Sequence, residues 1–180
     1  LGLHAISDKA LAAAGQATLA RSYWDWAPLL EAEARGFFPY TPATNLLFGL
    51  DAALDLLHGE GLAAVFARHE RLAAATRQAV RAWELELYCA CEAAHSPTLT
   101  TVAVPESADA DRLRRQVLER FDLSLGTGLG PLQGRVFRVG HLGSINDLQL
   151  AAALCGIEMG LALAGVPHRS GGVQSALDAL

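Results

Sequence analysis

Residues 134–143 read GRVFRVGHLG, and the way this stretch is taken decides the fold of the second half of the chain. Arg135 to Val139 reads as a short strand. Side chains alternate along a strand, so Arg138 shares a face with Val136 and Gly140. A structural arginine usually sits at an edge, where water solvates it. One beside a glycine has room over it for something small and anionic. The planar guanidinium fork matches a carboxylate through two parallel hydrogen bonds. The competing reading is a surface arginine, or one paired with a glutamate, and spacing alone leaves both open.

Working outward, TLTTVAVP (98–105) is a second strand, β-branched and closed by Pro105. LELYCACEA (85–93) reads as a strand and turn, which places Cys89 and Cys91 in the strand. Residues 60–85 read as one long amphipathic helix. Leu62, Val65, Phe66, His69, Leu72, Thr76, Val80 and Trp83 form its apolar stripe, and most of its arginines fall outside. A helix is expected near 109–121, then a short strand and glycine loop in DLSLGTGLGPLQG (122–134). Asn146 is expected to cap a helix reaching about Ala164. The order helix, strand, strand, helix, strand, strand, helix predicts a two-layer α+β domain, a small sheet with helices on one face.

The first third reads differently. Leu1 to Ile6 looks like the end of a strand, and Ser7 is a candidate N-cap for a helix over about 8–20. A chain seldom opens inside an element, so sequence is expected upstream. Residues 21–42 look irregular, with Pro28, Pro39 and Pro42 breaking any period. A helix from about Ala43 to Leu57 is expected to stop at His58-Gly59. These residues need a surface to pack on, so Trp24, Trp26, Phe37 and Phe38 are expected to lie exposed.

Composition narrows the class. Of the 180 residues, 52% are hydrophobic and 18% charged, with a net charge of -5. No basic stripe suggests nucleic acid as a partner. The apolar run 148–166 contains Glu158 and reads as a buried helix rather than a membrane span. No secretory signal is recognisable, and three cysteines with one C-x-C pair suggest reduced thiols and a cytoplasmic location. A zinc site would need more ligands at suitable spacing, so no metal is expected. Gly126, Gly128 and Gly130 precede a strand rather than a helix, so they read as a turn and not a nucleotide loop. His141 reads first as a hydrogen-bonded structural residue. Lys9, the only lysine, sits in a first helical turn facing solvent. Tyr40 and Thr41 offer hydroxyls on a proline-braced loop, suited to a phosphate or to turn formation alike.

Taken in order, SDKA, FFPYTPATNLLFGLDAALDLLHGEGLAAVFARHERLAAATRQAVRAW, PTLTTVAVP, FDLSLGTGLGPLQGRVFRVGHLG and NDLQLAAALCGIEMGL resemble the C-terminal part of class V aminotransferases, in the serine–glyoxylate and alanine–glyoxylate group. The resemblance implies a fold-type I enzyme using pyridoxal phosphate and working as a homodimer. Residues 1–58 would then be the end of the large domain and the dimer segment. Residues 59–180 would be the small domain, with a mostly antiparallel sheet covered by helices. The lysine that carries the cofactor would lie just upstream of Leu1, and Lys9 does not match it. By the same resemblance Arg138 binds the substrate's α-carboxylate, Gly140 keeps space beside it, and Thr41 reaches the cofactor phosphate of the other subunit. Tyr40 is the nearest chemical equivalent of a family tyrosine. No catalytic residue falls within the chain, which alone is expected to be inactive. Cysteine desulfurases share the fold class, but Cys89 and Cys91 in a strand and Cys155 in a buried helix do not suit their mobile nucleophile. Substrates would be an amino acid and a 2-oxo acid. The alternatives are a stand-alone dimerisation or carboxylate-binding module without chemistry, and a small-molecule-sensing α+β domain.

Overall fold

The computed structural model describes residues 1–180, which divide into two compact units, Leu1–Gly59 and Glu60–Leu180. In the first unit, helix α1 (Asp8–Gln16) starts where expected. Ser7 Oγ accepts from Ala10 N at 3.3 Å. The helix ends at Gln16, short of residue 20, and residues 1–6 pair with no strand. A second helix, α2 (Trp26–Glu33), occupies part of the stretch read as irregular. Asp25 caps it, and Pro28 stands at its third position. There the missing N–H is one that no helix can use, so the proline fits instead of breaking. Helix α3 (Thr44–Glu60) runs through His58 and Gly59. The break comes at Gly61, whose φ of +86° is open to glycine and costly to other residues.

The second unit holds the core. Helix α4 (Leu62–Ala82) buries Val65, His69, Leu72, Thr76 and Val80 as its stripe predicts. Leu62 and Phe66, assigned to the same stripe, are exposed instead, on either side of the buried Val65. The sheet has four antiparallel strands in the order β1-β2-β4-β3: β1 (Glu86–Leu87), β2 (Leu99–Ala103), β3 (Gly126–Thr127) and β4 (Val136–Gly140). β1 ends before Cys89 and Cys91, which stand in the connection to β2 rather than in a strand. Helix α5 (Ala110–Phe121) starts at its Asp109 cap and stops at left-handed Asp122. Helix α6 (Asp147–Ala164) opens with the reciprocal Asn146–Gln149 capping box and ends at left-handed Gly165. Cys155 lies on α6 but is exposed, not buried.

Val102, Phe137 and Val139 point from the sheet into a core shared with Leu72, Trp83, Leu113, Val117, Leu154, Ile157 and Leu161. Helix α6 is long and apolar enough to cross a membrane, with a mean hydropathy of 1.4 over 18 residues. One stripe of it is buried in this core, and its Glu158 is tied to neighbouring elements. Glu158 Oε2 accepts from Trp83 Nε1 at 2.8 Å and Val173 N at 2.9 Å, and Oε1 accepts from Gly171 N at 2.7 Å. This carboxylate seats the last helix, α7 (Gly172–Leu177), in a tail that reads as featureless in sequence. Gly172 packs flat on Trp83, since a Cβ there would fall 2.2 Å from Nε1.

Candidate functional site

The site is built on β4. Phe137 and Val139 face the core, which turns Val136, Arg138 and Gly140 to the other side of the sheet. In register, Arg138 lies opposite Thr101 of β2 and Gly126 of β3. Arg138 is therefore central in the sheet yet half-buried, and it belongs to none of the chain's seven ion pairs. Its Nε is buried without a hydrogen-bond partner. A donor in that condition is costly unless something accepts from it. This favours the anion-binding reading over an arginine paired with a glutamate.

The room beside the guanidinium comes from Gly126, which in sequence reads as part of a turn rather than as a partner of Arg138. A Cβ on Gly126 would stand 3.0 Å from Arg138 Cβ and 3.1 Å from its Nε. The arginine lies along the bare backbone of β3. At Gly140 the nearest obstacle to a Cβ is Leu142 Cδ2 at 3.3 Å, and Arg138 is not among its neighbours. Gly126 and Gly128 are packing glycines, since a Cβ on Gly128 would sit 2.0 Å from the Leu132 carbonyl oxygen, whereas Gly130 is the turn glycine expected, with a φ of +55° and open space around it. The only sequence signal for this was the glycine alternation itself.

His141 follows β4 and is fully buried. Its Nδ1 donates to the Pro97 carbonyl at 3.1 Å, which leaves Nε2 to accept from Thr100 Oγ1 at 2.9 Å. Burial pushes its pKa down to about 4, against the opposing pull of the Pro97 carbonyl and with some help from the nearby Arg77. The ring is neutral and structural, and it clamps the end of β4 to the segment before β2. The following loop is held to α4. Arg68 Nη1 donates to the carbonyls of Gly143 (2.8 Å) and Ile145 (3.1 Å) while its other nitrogens grip Glu60 at 2.7 and 2.8 Å. Gly143 N donates to His69 Nε2 at 3.1 Å. The chain leaving Arg138's strand is thus fixed twice, by His141 to the segment that leads into β2 and by Arg68 and His69 to α4.

Tyr40 and Thr41 belong to the first unit and Arg138 to the second. Thr41 is exposed, and Tyr40 rests against Tyr23 with ring centroids 5.2 Å apart. Lys9 is exposed on α1.

No family model matches the chain. Single relatives do. The chain is 45% identical over 168 residues to the serine–glyoxylate aminotransferase of Arabidopsis thaliana, covering 93% of this chain and 42% of that protein. It is 39% identical over 171 residues to the L-aspartate–glyoxylate aminotransferase of Paracoccus denitrificans, covering 95% and 43%. Its fold matches the crystal structure of pyridoxamine–pyruvate aminotransferase from Mesorhizobium loti with a TM-score of 0.85 at 34% identity, covering 97% of this chain and 46% of that one. The chain spans less than half the length of these relatives. In sequence and in fold, the chain belongs to the class V aminotransferases and corresponds to their C-terminal portion.

Proposed function

We propose that the chain is the carboxylate-gripping portion of an aminotransferase that moves an amino group from serine or alanine to glyoxylate or a similar 2-oxo acid. The observation that carries this is the unpaired fork of Arg138, half-buried beside Gly126 with no protein acceptor for its Nε. Glyoxylate and pyruvate, the acceptors in the relatives' names, are both 2-oxo acids with a carboxylate next to the reacting carbon. A two-point grip on that carboxylate fixes the substrate's orientation, so that the bond to be broken meets the group that moves its proton.

The cofactor of this reading is pyridoxal phosphate, which when bound supplies the electron sink for the amino-group exchange. Thr41 fits it as a hydroxyl free to donate to a phosphate oxygen, with Tyr40 beside it. In the complete enzyme Thr41 would serve the phosphate of the second subunit of a homodimer, and residues 1–58 would belong to the large domain and that interface. Lys9 does not fit as the cofactor's lysine. It is solvent-exposed on α1, with nothing to strip its water, which supports the reading that the cofactor's lysine belongs to another part of the complete enzyme. Three free thiols support a cytoplasmic location.

The test is turnover of serine with glyoxylate by the whole protein, wild type against Arg138→Lys. Losing the second arm of a charge-assisted grip is expected to lower kcat/KM roughly 10–100-fold. An unchanged kcat/KM would overturn the assignment of Arg138. The 180-residue chain by itself is expected to show no transamination.

A further inference from the structure

The C-x-C pair plays no part in the proposed activity, and its geometry gives it chemistry of its own. Cys89 and Cys91 stand between β1 and β2, outside any helix or strand. Cα atoms two residues apart lie at most about 7 Å from each other. A disulfide spans roughly 4.4–6.8 Å between Cα atoms, so bridging this pair needs little backbone movement. The Cys89 side chain is already turned along the chain, with Sγ donating to the Cys91 carbonyl at 3.5 Å. Both backbones are held in one short turn. His95 Nε2 donates to the Cys89 carbonyl at 2.9 Å, and Ala94 N donates to the Cys91 carbonyl at 3.0 Å. Access differs between the two thiols: Cys91 is exposed and Cys89 half-buried. That division suits an attacking thiol with a resolving one beside it.

We propose that Cys89 and Cys91 form a reversible redox pair, closed to an intramolecular disulfide by a low-molecular-weight disulfide such as oxidised glutathione. The Cys91 thiolate attacks one sulfur of the oxidant and displaces a first thiolate, which leaves a mixed disulfide on Cys91. The Cys89 thiol then gives its proton to water and releases the Cys91 carbonyl. Its sulfur attacks the Cys91 sulfur and displaces the second thiolate. Both departing thiolates take up protons. The protein loses two electrons and two protons, and the oxidant gains them. A small, exposed ring of this kind belongs to the readily reduced disulfides, so excess reduced thiol returns the pair. Cys155 is the contrast: it is exposed too, but no second cysteine shares α6 with it. It can keep a glutathione and has no neighbour on its helix to expel it.

Trypsin cuts after lysine and arginine, and its peptide 82–112 contains Cys89 and Cys91 and no other cysteine. The test treats the protein with oxidised glutathione, quenches in acid, digests it and weighs that peptide by mass spectrometry. The peptide should be lighter by two hydrogens and carry no glutathione. Both thiols should return after incubation with excess reduced glutathione. Cys89→Ser, which removes the resolving thiol, should leave a stable glutathione on Cys91. A peptide carrying two glutathiones would overturn the proposal, since it shows that the second thiol does not resolve the first. So would a peptide whose two thiols both stay free, a bridge to a second chain, or a ring that excess reduced glutathione leaves closed. A Cys91 without glutathione in the Cys89→Ser variant would overturn the order of attack.

Discussion

The first unit, Leu1–Gly59, and the second, Glu60–Leu180, are both supplied with large apolar side chains, but they use them differently. In the first, Ala32 is the only buried hydrophobic residue, while Tyr23, Trp24, Phe37, Phe38 and Phe48 stand in solvent. In the second, Trp83, Phe137 and the leucines and valines around them are sealed into one core. Hydrophobic content by itself therefore does not make a core. The second unit closes a sheet face with helices, whereas the helices of the first present apolar faces that nothing within the unit covers. Exposed patches of that kind mark surfaces meant for contact.

The sharpest way to break the contrast is to truncate one tryptophan in each unit and compare thermal or urea unfolding. Trp83→Ala, in the sealed core, is expected to cost about 3–5 kcal/mol. Trp24→Ala, 82% exposed, should stay within about 0.5 kcal/mol. Comparable losses at the two sites would mean that the first unit has a core of its own.

Acid tests the second unit alone. His141 titrates near 6.5 when unfolded and about 4 when folded. Its contribution is complete above pH 6.5 and is lost as pH falls from there toward 4, because the unfolded chain takes up the proton first. On the order of 2–3 kcal/mol should disappear over that window, and His141→Gln should flatten the slope. A profile identical in the variant would show that His141 is not the group responsible.

A smaller loss is expected from Glu158→Ala, about 1–3 kcal/mol, since Trp83 Nε1 and the Val173 amide lose their acceptor. Burial raises the pKa of this carboxyl, but the Gly171, Trp83 and Val173 donors outweigh it and hold it below the usual range. Its stabilisation is present above that range and fades as pH drops through the folded value. Hydrogen exchange should show α7 opening first in the variant. The smallest change is one of association rather than stability. Trp24→Ala combined with Phe48→Ala should weaken self-association in sedimentation at unchanged melting temperature, and a clean monomer in the unaltered protein would remove the basis for that expectation.

What could be read from sequence follows the same division. The long helices of the second unit announce themselves through period and caps, as with the α4 stripe and Asn146, because local pattern and tertiary role agree there. The β2 and β4 strands are legible for the same reason. Helix α2 was hidden by Pro28, a breaker everywhere except in a first turn. Helix α7 has no pattern to read, since it is held by a carboxylate on α6 many residues away. At the site, Arg138 stood out by its place in a strand, but Gly126 did not. Its importance is the absence of a side chain against a neighbour that only the sheet register brings close. Tyr40 and Thr41 stood out locally as hydroxyls on a proline-braced loop, equally suited to a turn, and only the family resemblance tied them to a cofactor phosphate.

The lone lysine has a practical consequence. Every other basic side chain apart from the histidines is an arginine, so Lys9 is the only side chain here bearing a primary amine, and it is exposed on α1. An acylating dye or crosslinker aimed at side-chain amines would mark the first unit and leave the second chemically untouched. The sequence thus carries a single-site handle through which the behaviour of one unit can be followed without disturbing Arg138.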